Sequence, residues 1–182
     1  MKHILFTSCL VICSCLFGQT SATINPVIGD ISFVAKYGEP PTANCNEKDR
    51  IKTHLAYVEA QLRAADVSAL TVEQQAKRNA ILDHLQDYWK REQFPLNTAY
   101  PNERRPCFID EYGTICAVGY LIEQTAGHAA AEAINDRYQY ATIAEMKDKL
   151  PEIEQWANEN GLTLNECAMI QPTYLVVRMV KN

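Results

Sequence analysis

Cys116 is the residue best placed for chemistry. It stands at the start of an uncharged run, Ala117-Val118-Gly119-Tyr120-Leu121-Ile122. A thiol at a helix N-terminus is pulled toward the thiolate by the backbone dipole. A thiolate with a histidine as its base is the working pair of a cysteine hydrolase. His128 is the nearest histidine along the chain, and His54 or His84 could approach in space. A second constellation is His128, Glu132 and Asp136, spaced i, i+4, i+8. On a helix these share one face and suit a metal or an acid–base pair. Without a second ligand-bearing segment, the same spacing describes a solvated polar face. A third group is Arg104, Arg105 and Asp110. The arginines could fork onto an anion or carboxylate. The internal alternative has Asp110 holding the N–H groups of its own turn, with one arginine paired to it. Asp83, His84 and Asp87 read as surface residues.

These candidates gather around one stretch, Arg104 to Ile122, which must position them. Asp110-Glu111-Tyr112-Gly113 reads as a turn, with Asp at the first position and Gly at the last. Cys107-Phe108-Ile109 and Thr114-Ile115-Cys116 flank it and predict a small β-hairpin. The hairpin feeds a helix that is apolar all round and therefore buried. Tyr112 at the turn tip is the aromatic best placed for exposure. Phe94, Tyr100 and Tyr120 are the other aromatic candidates for a recognition groove, although Tyr120, like Phe108, suits the core better.

Cysteine usage weighs against a catalytic thiol. Of seven cysteines, Cys9, Cys13 and Cys15 fall in the first 22 residues, which leaves Cys45, Cys107, Cys116 and Cys167. Four cysteines in an oxidising compartment predict two disulfides. A hairpin turning at Asp110–Gly113 in register would pair Cys107 with Cys116. Cys45–Cys167 would then close a long loop, a constraint of roughly 4–5 kcal/mol in the chain-entropy model.

The compartment follows from the N-terminus. Met1-Lys2-His3 is a short basic start, and Ile4–Phe17 is uncharged and apolar but short for a bilayer span. Thr20-Ser21-Ala22 supplies small residues for cleavage after Ala22. The expectation is a signal peptide over residues 1–22 and a mature chain in the periplasm or outside the cell. Lipid anchoring at Cys15, through the lipobox-like Ile12-Cys13-Ser14-Cys15, is the alternative. Cleavage leaves 160 of the 182 residues and takes the formal charge from −5 to −6. A mildly acidic chain without a basic cluster is a poor match for nucleic acid. Beyond the signal segment no long apolar run predicts a transmembrane segment.

Residues 23–45 form a lead rich in Pro, Gly and Thr, expected to be extended or partly disordered, with a short edge strand over Ile31–Tyr37. The domain proper is expected over 46–173. Ile51, Leu55, Val58 and Leu62 make the apolar stripe of a first helix from Asn46. Thr71 caps a second helix, with Gln74 as its capping-box partner. Ile81, Leu85, Tyr88 and Trp89 form its inner face, and the two helices should pack as an antiparallel hairpin. Further short helices follow: His128–Tyr138, one capped by Thr142, one opened by Pro151 and stopped by Gly161, and one boxed by Thr163 and Glu166. Residues 174–182 are a β-prone tail. The fold class is thus mainly α: a helical hairpin plus short helices around a central buried helix, with one small β-hairpin.

Two motifs then stand out: Arg105-Pro106-x-Phe108-Ile109-Asp110-x-x-Gly113-x-x-Cys116-Ala117-Val118-Gly119, and Gly161-Leu162-Thr163-x-x-Glu166-x-Ala168-x-Ile170-Gln171-Pro172. Together with Phe94-Pro95-Leu96-Asn97, they resemble an uncharacterised family of small exported bacterial proteins. The resemblance covers Ile51 to Tyr174. It implies export and a mostly helical domain, and it implies no substrate, cofactor or catalytic residue. No nucleophile elbow, phosphate loop, dinucleotide fingerprint, zinc-protease helix or calcium loop occurs in the sequence. The expectation is a non-catalytic binding module for a protein or small-molecule ligand, with no cofactor and no metal. Its binding groove beside the hairpin would be rimmed by Arg104, Arg105, Asp110 and Tyr112. A thiol hydrolase using Cys116, or a metal-dependent hydrolase at His128, is the alternative.

Overall fold

A computed structural model describes residues 23–176. Residues 1–22, where a signal peptide is expected, and the end of the tail, 177–182, lie outside the described residues. Among the described residues the chain forms eight helices: α1 (Ile31–Tyr37), α2 (Glu47–Ala64), α3 (Val72–Arg91), α4 (Ala117–Ala126), α5 (His128–Tyr138), α6 (Ile143–Met146), α7 (Pro151–Glu159) and α8 (Leu164–Ile170). The class is mainly α. No helix among the described residues is long and apolar enough to cross a membrane.

The long helices begin where their caps put them. Asn46 Oδ1 accepts from the N–H groups of Lys48 and Asp49 to open α2. Thr71 and Gln74 form a full capping box on α3. Side-chain links then show that α2 and α3 run antiparallel: Arg63 reaches Asp83, Glu59 accepts from Trp89, and Lys52 pairs with Glu92. The stripe of Ile51, Leu55, Val58 and Leu62 meets Ile81, Leu82, Leu85 and Tyr88 in one core. Helix α4 enters that core with Ala117 to Ile122 all buried, and it contacts α3, α5 and α8. Boxes at Thr142/Glu145 and Thr163/Glu166 open α6 and α8, and Pro151 occupies the first turn of α7.

Arg78 is the main tie among these layers. Its guanidinium donates to the carbonyls of Gly161 (2.7 Å) and Leu62 (2.9 Å) and to Glu166 (2.7 Å). Gly161 has φ +67°, and a Cβ there would sit 2.5 Å from the Gln74 carbonyl oxygen. The chain can pass α3 this closely only without a side chain.

Two local expectations are corrected. Ile31–Tyr37 is helix α1, not an edge strand, and the stretch before it is tied to the domain. Asn25 Nδ2 donates to the carbonyls of Ala168, Met169 and Gln171, while its Oδ1 accepts from Val27 and Ile28. The neighbouring Ile24 is fully buried. Asp30 grips Arg50 on α2 through two hydrogen bonds of 2.7 and 2.5 Å. This tertiary packing overrides the strand propensity of an aromatic, β-branched segment.

The β-hairpin is likewise reduced to an isolated antiparallel bridge, Ile109 with Ile115. The Asp110 N–H donates to the Thr114 carbonyl and the Cys116 N–H to the Phe108 carbonyl. The loop is therefore one residue longer than a turn closed at Gly113, and Cys116 lies opposite Phe108. A one-residue slip moves neighbouring side chains to opposite faces. That register explains why Cys107 and Cys116 are not joined. All four cysteines are free thiols, Cys45 half-buried beside α2 and Cys167 buried on α8. The expected disulfides Cys107–Cys116 and Cys45–Cys167 are absent among the described residues. The start of the tail makes a second isolated bridge, Tyr174 with Arg105.

Candidate binding site

The 104–116 segment carries the expected site residues, and two of the four, Arg104 and Asp110, face inward. Arg104 has a side chain only 4% exposed. It forks onto Glu47 at 2.5 and 2.8 Å and donates to the Thr173 carbonyl at 2.9 Å. Its charge is matched before any ligand arrives. Arg105 donates through Nε to Glu103 (2.7 Å), and its guanidinium lies 4.1 Å from the centroid of the Tyr100 ring. Asp110 is buried. Its carboxylate accepts from the N–H groups of Leu96 (2.9 Å), Tyr112 (2.9 Å) and Thr114 (2.8 Å). The expected arginine partner of Asp110 is replaced by this backbone cage.

Arg105 is partly exposed, and Tyr112 points fully outward. It is 70% exposed at the loop tip. It rims a cleft of about 240 Å³ whose other walls include Arg91, Gln93, Tyr120 and Glu123. Arg91 donates to the Tyr120 hydroxyl at 2.7 Å, which fixes that wall. Arg104 and Arg105 line a different cavity of about 270 Å³, shared with Thr23, Tyr140 and Glu145. The single groove with Arg104 and Tyr112 on one rim is therefore two cavities. Phe94 and Tyr120 are buried in the core beside Tyr88, and Tyr100 packs edge-on to Tyr140.

The candidate nucleophile has the opposite of an activated environment. Cys116 is the N-cap of α4, and its Sγ accepts from the Gly119 N–H at 3.3 Å. Burial nevertheless outweighs that bond and pushes the thiol up to about 12. Cys107 and Cys167 are pushed up to about 12 for the same reason. A helix terminus lowers a thiol pKa only where the thiolate is solvated or paired. His54 is fully buried, with Nε2 2.9 Å from the Met169 carbonyl, and His84 is half-buried on α3.

His128 is exposed. Its Nδ1 lies 2.6 Å from Glu123, and its Nε2 lies 3.3 Å from Glu132. The hydrogen bond to Glu123 and the charge of Glu132 raise its pKa above the ordinary value. Its ring nitrogens thus serve an ion-pair cluster bridging α4 and α5. Among the described residues no group of three or more His, Cys, Asp or Glu side chains is arranged to hold a metal ion. Glu123 was not legible as the partner of His128, because it lies across the α4–α5 break at Gly127. Asp83 is bonded to Arg63, which leaves the Asp83-His84-Asp87 group on the surface of α3.

The residues that carry the family resemblance do scaffold work. Gly119 is one: a Cβ there would lie 2.7 Å from Ile115 and 3.0 Å from Phe108. Gln171 accepts from the Ile143 N–H and donates to the Ala141 carbonyl, joining α6 to α8. Asn97, fully buried, donates to the carbonyls of Glu103 and Tyr100 and so shapes the loop before Arg104. No family model, curated protein or solved structure matches the chain.

Proposed function

We propose that this chain is an exported, non-catalytic binding module of the family its motifs resemble, and that it meets a protein partner through the Tyr112 tip. The observation that carries this reading is the mounting of that ring. Tyr112 is exposed, yet its backbone is held by a buried carboxylate that also ties down Leu96 and Thr114. An aromatic side chain on a fixed support loses little entropy on binding, and tyrosine is enriched among residues that dominate interface energy. The neighbouring Arg91, Gln93 and Glu123 supply a polar rim. Buried, protonated thiols and a carboxylate-bound His128 weigh against both hydrolase alternatives.

The test is site-specific photo-crosslinking in the native cells. A benzophenone side chain at position 112 should give a discrete adduct. The same group at Val72, an equally exposed apolar position on the far end of α3, should give none. Equal adducts from both positions, or none from position 112, would refute the reading. N-terminal sequencing of the mature chain should begin at Thr23, and a lipid on Cys15 would replace cleavage with anchoring.

A further inference from the structure

A third cavity lies between α1, α2 and α3, away from the Tyr112 tip. It encloses about 450 Å³, within the range of small-molecule sites. Ser32 and Lys36 stand one helical turn apart on α1, and Thr53 and Tyr57 one turn apart on α2, all lining it. Ala35 and Ala56 leave room between them. Trp89 of α3 forms a wall, its indole fixed by a 2.7 Å hydrogen bond from Nε1 to Glu59.

The polar groups here are incompletely satisfied. Ser32 is 1% exposed, and its Oγ has no hydrogen-bond partner. A buried hydroxyl left in that state costs about 1–3 kcal/mol. Lys36 Nζ donates to Thr53 Oγ1 at 3.4 Å and lies 4.9 Å from the Tyr37 ring centroid. Lys36 is exposed at the mouth of the cavity, and no ion pair among the described residues includes it. The Tyr37 hydroxyl lies within hydrogen-bond reach of both Lys36 and Thr53, and a carboxylate entering the cavity would replace it as their acceptor. Lys52, by contrast, is already paired with Glu92. One solvent-exposed cation and two hydroxyls thus border a space with apolar and aromatic walls.

We infer that this cavity binds a small organic carboxylate with a flat apolar body. The carboxylate accepts from Ser32, Thr53 and Lys36, and the body lies against Tyr57 and Trp89. A single cation matches a monoanion better than a phosphate dianion. A charge-assisted hydrogen bond from Lys36 favours the carboxylate over a neutral ligand.

Phenylacetate, phenylacetamide and inorganic phosphate are the probes. The chain has two tryptophans, so Trp156→Phe leaves Trp89 as the reporter. Phenylacetate should change its fluorescence saturably, the amide should bind at least about tenfold more weakly, and phosphate should not bind. Lys36→Gln, and separately the pair Ser32→Ala with Thr53→Val, should each weaken phenylacetate by about tenfold or more, as loss of a charge-assisted hydrogen bond implies. Backbone amide shifts of Ser32, Lys36, Thr53 and Tyr57 in the wild-type protein give the same reading without substitution. No saturable response to phenylacetate, equal affinity for the amide, or saturable binding of phosphate alone would overturn the assignment. Unchanged affinity in Lys36→Gln would overturn it too.

Discussion

Acidification should destabilise this protein through His54, by an amount set by where the ring sits. His54 is fully buried on α2, and its Nε2 faces the Met169 carbonyl of α8 at 2.9 Å. A carbonyl can only accept, so Nε2 carries the proton and the neutral ring has Nδ1 bare. Nδ1 finds no partner. Burial lowers the pKa from 6.5 to about 4, with the Met169 carbonyl opposing the shift. Above pH 6.5 the ring is neutral in both folded and unfolded chains and contributes no pH dependence. Between pH 6.5 and about 4 the unfolded chain takes up a proton that the folded chain refuses, so stability falls as pH falls. At about 1.4 kcal/mol per pH unit, the cost is roughly 2 kcal/mol by pH 5 and roughly 3 kcal/mol by pH 4. The assay is urea unfolding at pH 7.5, 6 and 5, wild type against His54→Gln. Ordinary carboxylates remain largely ionised at pH 5, and their share cancels in the comparison. Wild type should lose roughly 2 kcal/mol more than the variant between pH 7.5 and 5. Parallel pH profiles would show that the ring is not held neutral in the core.

Other expectations follow from single contacts. Asp110→Ala strips the acceptor from three backbone N–H groups; a loss of about 2–4 kcal/mol is expected, read as a melting point lower by about 10 °C, together with loss of the position-112 crosslink. Gly119→Ala drives a methyl into Ile115 and Phe108 and should cost about 1–3 kcal/mol in urea unfolding. Thiol labelling of the native protein should modify Cys45 quickly and Cys107, Cys116 and Cys167 only at the rate of opening, whereas denaturation without reductant should release four reactive thiols. Fewer than four would restore a disulfide. The His128 ring should titrate above its ordinary value by NMR, and Glu123→Gln should bring it back down, since the Glu123 bond is the largest cause of the rise.

What could be read in advance follows the range of the forces involved. Capping is settled within four residues, so Thr71 with Gln74, Thr163 with Glu166 and Pro151 all declare their helices in the sequence. The apolar stripes of α2 and α3 are equally local. Disulfide pairing depended on the loop register, and one extra residue between Asp110 and Thr114 was enough to defeat it. The hold of Asp110 on its own turn, through Tyr112 and Thr114, was legible in the sequence, but Glu47 on Arg104 and Leu96 on Asp110 lie 57 and 14 residues away, and nothing near either residue announces them. The free thiols need not conflict with export. Cys107, Cys116 and Cys167 are each at most 1% exposed, and a buried thiol with a raised pKa is slow to oxidise. Burial can thus do for these cysteines what pairing was expected to do.

The misread segment is also the one that hid the cavity between α1, α2 and α3. As a strand, Ile31–Tyr37 places Ser32, Val34 and Lys36 on one face and suggests only an edge with polar and apolar positions mixed. Wound as a helix, the same residues separate by 3.6: Ser32 and Lys36 line the cavity, with Ala35 between them, while Ile31 and Val34 turn outward and are exposed. Asp30 decides between the two, because its double hydrogen bond to Arg50 fixes the start of α1 against α2. Replacing Asp30 with Ala should therefore loosen α1 and abolish phenylacetate binding, while leaving Lys36, Ser32 and Thr53 chemically intact. Binding that survives that loss would mean the three donors do not depend on the helix that brings them together.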